Sequence, residues 1–288
     1  METAARLTSR HRRANFYFQQ AGTGHEQEVG DGGEGRFDRA GRQREADDAA
    51  TARNRGSIMS KLVDLSQEIY QGMPVYMGHL KTAIWQTHTH EETATKFEGG
   101  MSYACNALVM SDHGPTHVDS ISHFDPRPDA PSVDQMDLSL FYGEAICLDV
   151  SHVQPQTYIT RQDVERALAR HGLEIESGDI VLFYTGTWDK YHDTPPYTTQ
   201  YPGLDEGAAQ MLADKKVKNF GVDSPSPDNP ISKTYPTHMM SRKCGIPHYE
   251  NLANLKQVVG KRFQFVAFPL KIRGGYGSPV RAVAIVNE

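Results

Sequence analysis

The sequence predicts one α/β domain over residues 59–288, built on a mixed sheet. Three observations predict it. Short runs rich in Val, Ile, Phe and Tyr recur between turn residues, as strands do. At least one segment carries both start and stop signals of a helix. The two kinds of segment do not alternate strictly and nothing repeats, which disfavours a uniform βαβ array.

The segment before this domain is different. Residues 1–58 hold ten Arg, no Lys, nine acidic residues and few large hydrophobes. Such a chain cannot bury enough apolar surface to offset its conformational entropy, so a disordered N-terminal extension is expected. It lacks the apolar stretch of a secretory signal, and it is too acidic for a transit peptide. Met59 sits at the change in composition and reads as the natural start.

The elements follow in order. Strands are expected at 62–65, 83–89, 103–110 and 145–150. Thr160 can cap a helix, with Asp163 completing the box, Val164, Ala167 and Leu168 on one face and Gly172 as the stop. A strand at 180–185 and a second helix from about 204 to 216 come next, then strands at 263–270 and 280–286.

Composition excludes several functions. The formal net charge is −6, so no basic field draws nucleic acid. No apolar run approaches the ~20 residues that span a bilayer. Cys105, Cys147 and Cys244 are far apart and odd in number, so neither a disulfide framework nor a cysteine zinc site is expected. They read as reduced, mostly buried thiols of a cytoplasmic protein.

The chemistry is concentrated in His113-Gly-Pro-Thr-His117-Val-Asp119-Ser-Ile-Ser-His123, which places three histidines and an aspartate within eleven residues. Imidazoles with a carboxylate suit Zn²⁺ or Mn²⁺. Gly114 and Pro115 argue against a helix through His113 and His117 and for a bend that returns one toward the other. His117 and Asp119, two apart, share a face of an extended backbone. His123 follows four residues later, able to reach the metal's open side without binding it.

This segment resembles the H-x-G-T-H-x-D-x-P-x-H motif of the cyclase-like metal hydrolases, a family that includes kynurenine formamidases, isatin hydrolases and certain γ-lactamases. The resemblance extends to Asp64-Leu65-Ser66, Gly72-Met73-Pro74-Val75-Tyr76, Gly178-Asp179-Ile180-Val181-Leu182, Thr185-Gly186-Thr187-Trp188, Gly221-Val222-Asp223-Ser224 and Glu250-Asn251-Leu252. Pro115 stands where the family has Gly, and Ile121 where it has Pro. The resemblance implies a swivelling β/β/α domain, and a homodimer or homotetramer. It implies that His113, His117 and Asp119 hold a first ion and that His123 moves protons. In two-metal members the aspartate bridges, and a His and Glu twelve residues apart hold the second ion. His238 and Glu250 have that separation. One ion or two is left open.

The implied function is hydrolysis of a cyclic or N-acyl amide of a small molecule by metal-activated water. Alternatives are a lactone hydrolase of the dienelactone type and a non-catalytic metal-binding scaffold. His123, which ligation does not need, argues against the scaffold. Trp188, Tyr76 and Phe97 are candidates for lining the substrate pocket. His88 and His90 read as a solvent-facing pair at a strand end. Asp223-Ser224-Pro225 is not a nucleophile site, since the absence of a G-x-S-x-G elbow anywhere in the sequence argues against a serine hydrolase. Gly274, Gly275 and Gly277 do not open a strand–helix unit as a nucleotide fingerprint requires.

Overall fold

The computed structural model describes residues 60–287. The expectations for residues 1–58 and for Met59 lie outside them. A nine-stranded sheet dominates, in the spatial order β1 (Ser60–Asp64), β13 (Val283–Asn287), β11 (Arg262–Val266), β5 (Tyr142–Asp149), β7 (Ile180–Tyr184), β9 (Asn219–Val222), β10 (His248–Glu250), β4 (His117–Asp119) and β12 (Gly277–Pro279). The four strands from β5 to β10 run parallel, and both wings are antiparallel. The sheet is therefore mixed.

The parallel centre is covered on both faces, as parallel strands require. Alternation along β7 divides the core. Ile180 and Leu182 join Cys147, Phe263, Phe265 and Tyr249 on one face. Val181 and Phe183 join Ile146, Leu148 and Phe220 on the other. Three helices pack on this second face: α3 (Arg161–His171), α5 (Glu206–Asp214) and α6 (Pro236–Cys244). Shorter helices are α1 (His90–Ala94), α2 (Ile121–Phe124) and α4 (Thr187–Tyr191). Two small sheets complete the fold: β2 (Ala83–His88) with β3 (Cys105–Val109), and β6 (Tyr158–Ile159) with β8 (Gly203–Leu204).

The local chemistry explains α3. Thr160 accepts from the Asp163 N–H, Asp163 reaches back to the Thr160 N–H, and Gly172 closes the helix at φ 62°. The second helix is trimmed to Glu206–Asp214 because Asp205 caps it. The strand expected at 263–270 stops at Val266. His88 ends β2 and His90 begins α1, where Thr89 and Glu92 form a capping box, and His90 Nδ1 lies 2.9 Å from Ser102 Oγ. The thiols depart from expectation. All three are free, but only Cys147 is buried. Cys105 lies on the solvent-washed β2–β3 hairpin and Cys244 at the end of α6, neither of which faces a core. Among the described residues no helix is long and apolar enough to cross a membrane.

Candidate metal centre

Two short strands build the site. His117-Val-Asp119 on β4 and His248-Tyr-Glu250 on β10 each place a histidine and a carboxylate two residues apart. The strands pair antiparallel, with His248 opposite Asp119 and Glu250 opposite His117. The pleat turns these four side chains to one face. Val118 and Tyr249 go to the other and are fully buried in the core. His113 comes from the bend before β4, where the Gly114 N–H donates to Ser111 O at 3.1 Å. His238 comes from the first turn of α6, and His123 from α2.

The distances define two groups. His113 Nε2 and His117 Nε2 lie 3.2 and 3.1 Å from Asp119 Oδ1. On the other carboxylate oxygen, His248 Nε2 lies at 3.3 Å and His238 Nε2 at 3.8 Å. Glu250 Oε1 lies 3.4 Å from His248 Nε2 and 4.0 Å from His238 Nε2. Asp119 belongs to both groups, and Glu250 Oε2 borders the first, 3.4 Å from His117 Nε2.

Whether these residues fit a metal is decided by their unmet valences. Among the described residues, His113 Nε2, His117 Nε2, His248 Nε2 and both Asp119 carboxylate oxygens are buried without a hydrogen-bond partner. Leaving one such atom unpaired costs on the order of 1–3 kcal/mol, and five converge here. They approach one another without the alignment of hydrogen bonds, aimed instead at shared points between them. Divalent cations held by the two groups would satisfy them.

The outward nitrogens are held separately. His113 Nδ1 lies 2.9 Å from Asp112 Oδ1, His117 Nδ1 2.7 Å from Pro115 O, and His238 Nδ1 2.6 Å from Asp228 Oδ2. Nδ1–H donation to these oxygens leaves the Nε2 lone pair facing the centre, as a metal ligand needs. Asp228 has a second task. It accepts the backbone N–H of Thr237 at 2.8 Å and of His238 at 3.1 Å. It thus caps α6, whose N-cap residue Tyr235 sits at φ 47° and offers no side-chain cap.

The electrostatics agree. Burial pushes His117 and His248 down, but Asp119 and Glu250 reverse this and carry them up to about 10 and about 9. Burial raises Glu250, while His117 and His248 draw it down to about 2. Without a cation the chain gathers protons around its two buried carboxylates. Metal binding displaces such protons.

His123 is different. Its Nε2 lies 3.7 Å from Asp119 Oδ2, its side chain is 32% exposed, and its ring lies 4.2 Å from that of His113. Burial lowers it to about 4, with His113 and His238 adding to the effect, so it is neutral at pH 7. Among the described residues no side-chain hydrogen bond pins its ring.

The aromatic candidates separate. Tyr76 lies beside Tyr235 and His79. Burial and its contact with Tyr235 push its hydroxyl up to about 12, and the His79 ring between Tyr76 and His113 is 5.5 and 5.6 Å from them. Trp188 stacks on His192 at 4.5 Å and lines a cavity of about 360 Å³ with Ser66, Gln67 and Tyr70. From that cavity Gln67 donates to Tyr197, which donates to Asn251, which donates to Pro115 O behind His117. Phe97 packs on Tyr103, 5.9 Å away, and is 41% exposed. His88 and His90 join neither donor group. Sequence reasoning missed His248, Asp112, Asp228 and His79. The repeated spacing of His117-x-Asp119 in His248-x-Glu250 was the available signal for His248.

Fold and site together define a mixed α/β protein with a donor set suited to divalent metal. Residues 63–229 match the family model described as "Putative cyclase". The chain belongs to that cyclase family. It is 30% identical over 225 residues to a kynurenine formamidase of Geobacillus thermodenitrificans, spanning 78% of this chain and 97% of the relative. The solved isatin hydrolase A of Ralstonia solanacearum has a TM-score of 0.70 and 25% identity, covering 85% of this chain and 97% of its own. A solved potential metal-dependent hydrolase with cyclase activity matches with a TM-score of 0.63 and 27% identity, covering 80% of this chain and 100% of its own.

Proposed function

We propose that the protein is a metal-dependent hydrolase that adds water to a non-peptide carbon–nitrogen bond, opening a cyclic amide or removing an N-acyl group. One observation carries the reading. A three-donor group, His113, His117 and Asp119, lies beside a half-exposed neutral imidazole, His123, whose ring no side-chain hydrogen bond holds among the described residues. The similarity to a kynurenine formamidase and to an isatin hydrolase supports an amide as substrate.

When bound, a divalent ion, Zn²⁺ or Mn²⁺ by the donor chemistry, supplies Lewis acidity that lowers the pKa of water from ~16 toward ~7 and polarises a carbonyl. The chain supplies the rest. Asp112, the Pro115 carbonyl and Asp228 hold three imidazoles in fixed orientation. Neutral His123 accepts a proton from the attacking water and delivers it to the departing nitrogen. An amide nitrogen leaves poorly unless protonated, which gives His123 its second task. Tyr76 and Tyr235 stand beside His79 as candidate substrate contacts, and Trp188 lines the neighbouring cavity. Phe97 belongs with the β2–β3 hairpin. That hairpin pairs with no other strand among the described residues, and it exposes Trp85 by 50%, Leu108 by 46% and Val109 by 44%. An isolated hairpin with such a surface is marginal alone, which favours cover by a second copy in a homodimer or homotetramer.

Acid release from a panel of aryl formamides, cyclic imides, lactams and lactones tests the function. Turnover of amides that stops on chelation and returns with metal is expected. A metal-loaded protein that cleaves only lactones would replace the amidase reading with the lactonase alternative.

A further inference from the structure

His248 gives the second donor group a composition that the sequence motif did not contain. Its Nε2 faces Asp119 Oδ2 at 3.3 Å and Glu250 Oε1 at 3.4 Å, fully buried and without a hydrogen-bond partner among the described residues. Its ring is clamped. Phe124 stacks on it with centroids 5.7 Å apart and planes 12° apart, and Phe220 packs at 5.2 Å. Nδ1 faces Ser241 Oγ at 3.4 Å. A buried imidazole held this rigidly, with its free nitrogen between two carboxylates, is placed as a ligand is placed.

The count of donors then differs between the groups. Asp119, His238, His248 and Glu250 provide four, whereas His113, His117 and Asp119 provide three. Two imidazoles and two carboxylates fill a tetrahedral shell, whereas three protein donors leave a position for water. The half-exposed His123 packs its ring 4.2 Å from that of His113 in the three-donor group, while its Nε2 lies 3.7 Å from Asp119 Oδ2, and the four-donor group is walled by Phe124 and Phe220.

We propose that His248 is a protein ligand of the second ion, and that it makes the two positions unequal. The four-donor position holds a closed, slowly exchanging ion with a structural role. The three-donor position holds the exchangeable ion at which the reaction takes place. This rests on the metal-centre reading above. The competing role for His248 is a hydrogen-bond partner of the two carboxylates, with no bond to metal.

Zinc counted per chain separates these. The full chain is loaded with Zn²⁺ and dialysed against graded chelator, as wild type, His113→Ala and His248→Leu. Wild type is expected to lose its zinc in two steps, and His113→Ala to keep the tenacious ion. His248→Leu, which preserves bulk, is expected to lose the tenacious ion, with retention falling by more than the ~100-fold that an outer-shell partner can cost. A folded His248→Leu that retains zinc as wild type does overturns the proposal, and so do two equally labile ions in wild type. Wild type binding a single ion refutes the two-metal reading by itself. His248 is then judged on that ion, whose loss in His248→Leu upholds ligation and whose retention refutes it. Absence of any bound zinc refutes both. Should His248→Leu not fold, the anomalous map of zinc-loaded wild-type crystals decides. Nε2 at about 2.0–2.1 Å from zinc upholds the proposal, and a separation beyond the bonding range overturns it.

Discussion

At the scale of single residues, the site depends on side chains that make no contact with substrate. Asp228 orients His238 and caps α6 with one carboxylate. Asp228→Asn should weaken metal binding ~10–100-fold, as loss of an outer partner does, and calorimetric titration of the metal-free variant would show it. Wild-type affinity would mean that α6 holds His238 unaided. His123 yields a sharper expectation. His123→Ala should keep its metal and lose turnover by ~10²–10⁴-fold. The loss should be greater for amides than for esters of good leaving groups, which depart with less protonation. Metal loss in that variant would make His123 a ligand, and equal losses on both substrates would remove its role toward the leaving group. Much of this was legible in the sequence, because His113, His117, Asp119 and His123 are close along the chain and separated by informative turn residues. His248 and Asp228 were not, because they act across a strand pair and a helix start that sequence spacing alone does not bring together.

At the scale of elements, the β4–β10 pair turns two short motifs into a square of donors. Neither strand exceeds three residues, too few to display a period, so β10 escaped and β4 was legible only as an extended backbone through His117 and Asp119, whereas β2, β5, β7 and α3 were plain. Helix α6 escaped for another reason. It starts at Pro236 behind a left-handed Tyr235 and takes its cap from Asp228 eight residues earlier, so no local side-chain cap marks its start. The adjacent strand β12 forms the wall of the site. A Cβ on Gly277 would stand 2.8 Å from His113 Cε1 and 2.9 Å from its Nε2. Gly277→Ala should therefore displace the His113 ring and weaken the three-donor group. Overpacking of this kind costs about 1–3 kcal/mol. Metal titration combined with a thermal melt checks this. An unchanged affinity would mean that the ring yields without leaving its post.

At the scale of the whole molecule, the site couples stability to pH and metal. In the metal-free chain, His117 and His248 stand at about 10 and about 9, above the ordinary histidine value of about 6.5. Their contribution is fully present below about 6.5 and is lost as pH rises through about 9–10. His123 at about 4 and Glu250 at about 2 act in the opposite direction. Stability falls as pH drops below about 6.5 toward 4 for His123, and below the ordinary glutamate value of about 4.3 toward 2 for Glu250. The melting temperature of the metal-free protein should thus be highest near neutral pH and fall on both sides. Saturating Zn²⁺ should lift the alkaline limb, because metal takes the place of the protons on these imidazoles. An alkaline limb that metal does not move would separate these histidines from metal binding. The central claim is that two donor groups converge on Asp119. Metal content per chain, measured together with amide turnover in Asp119→Asn, tests it most directly. The account predicts loss of zinc from both groups and of all measurable turnover while the chain stays folded. Full metal content with wild-type turnover in that variant would contradict it.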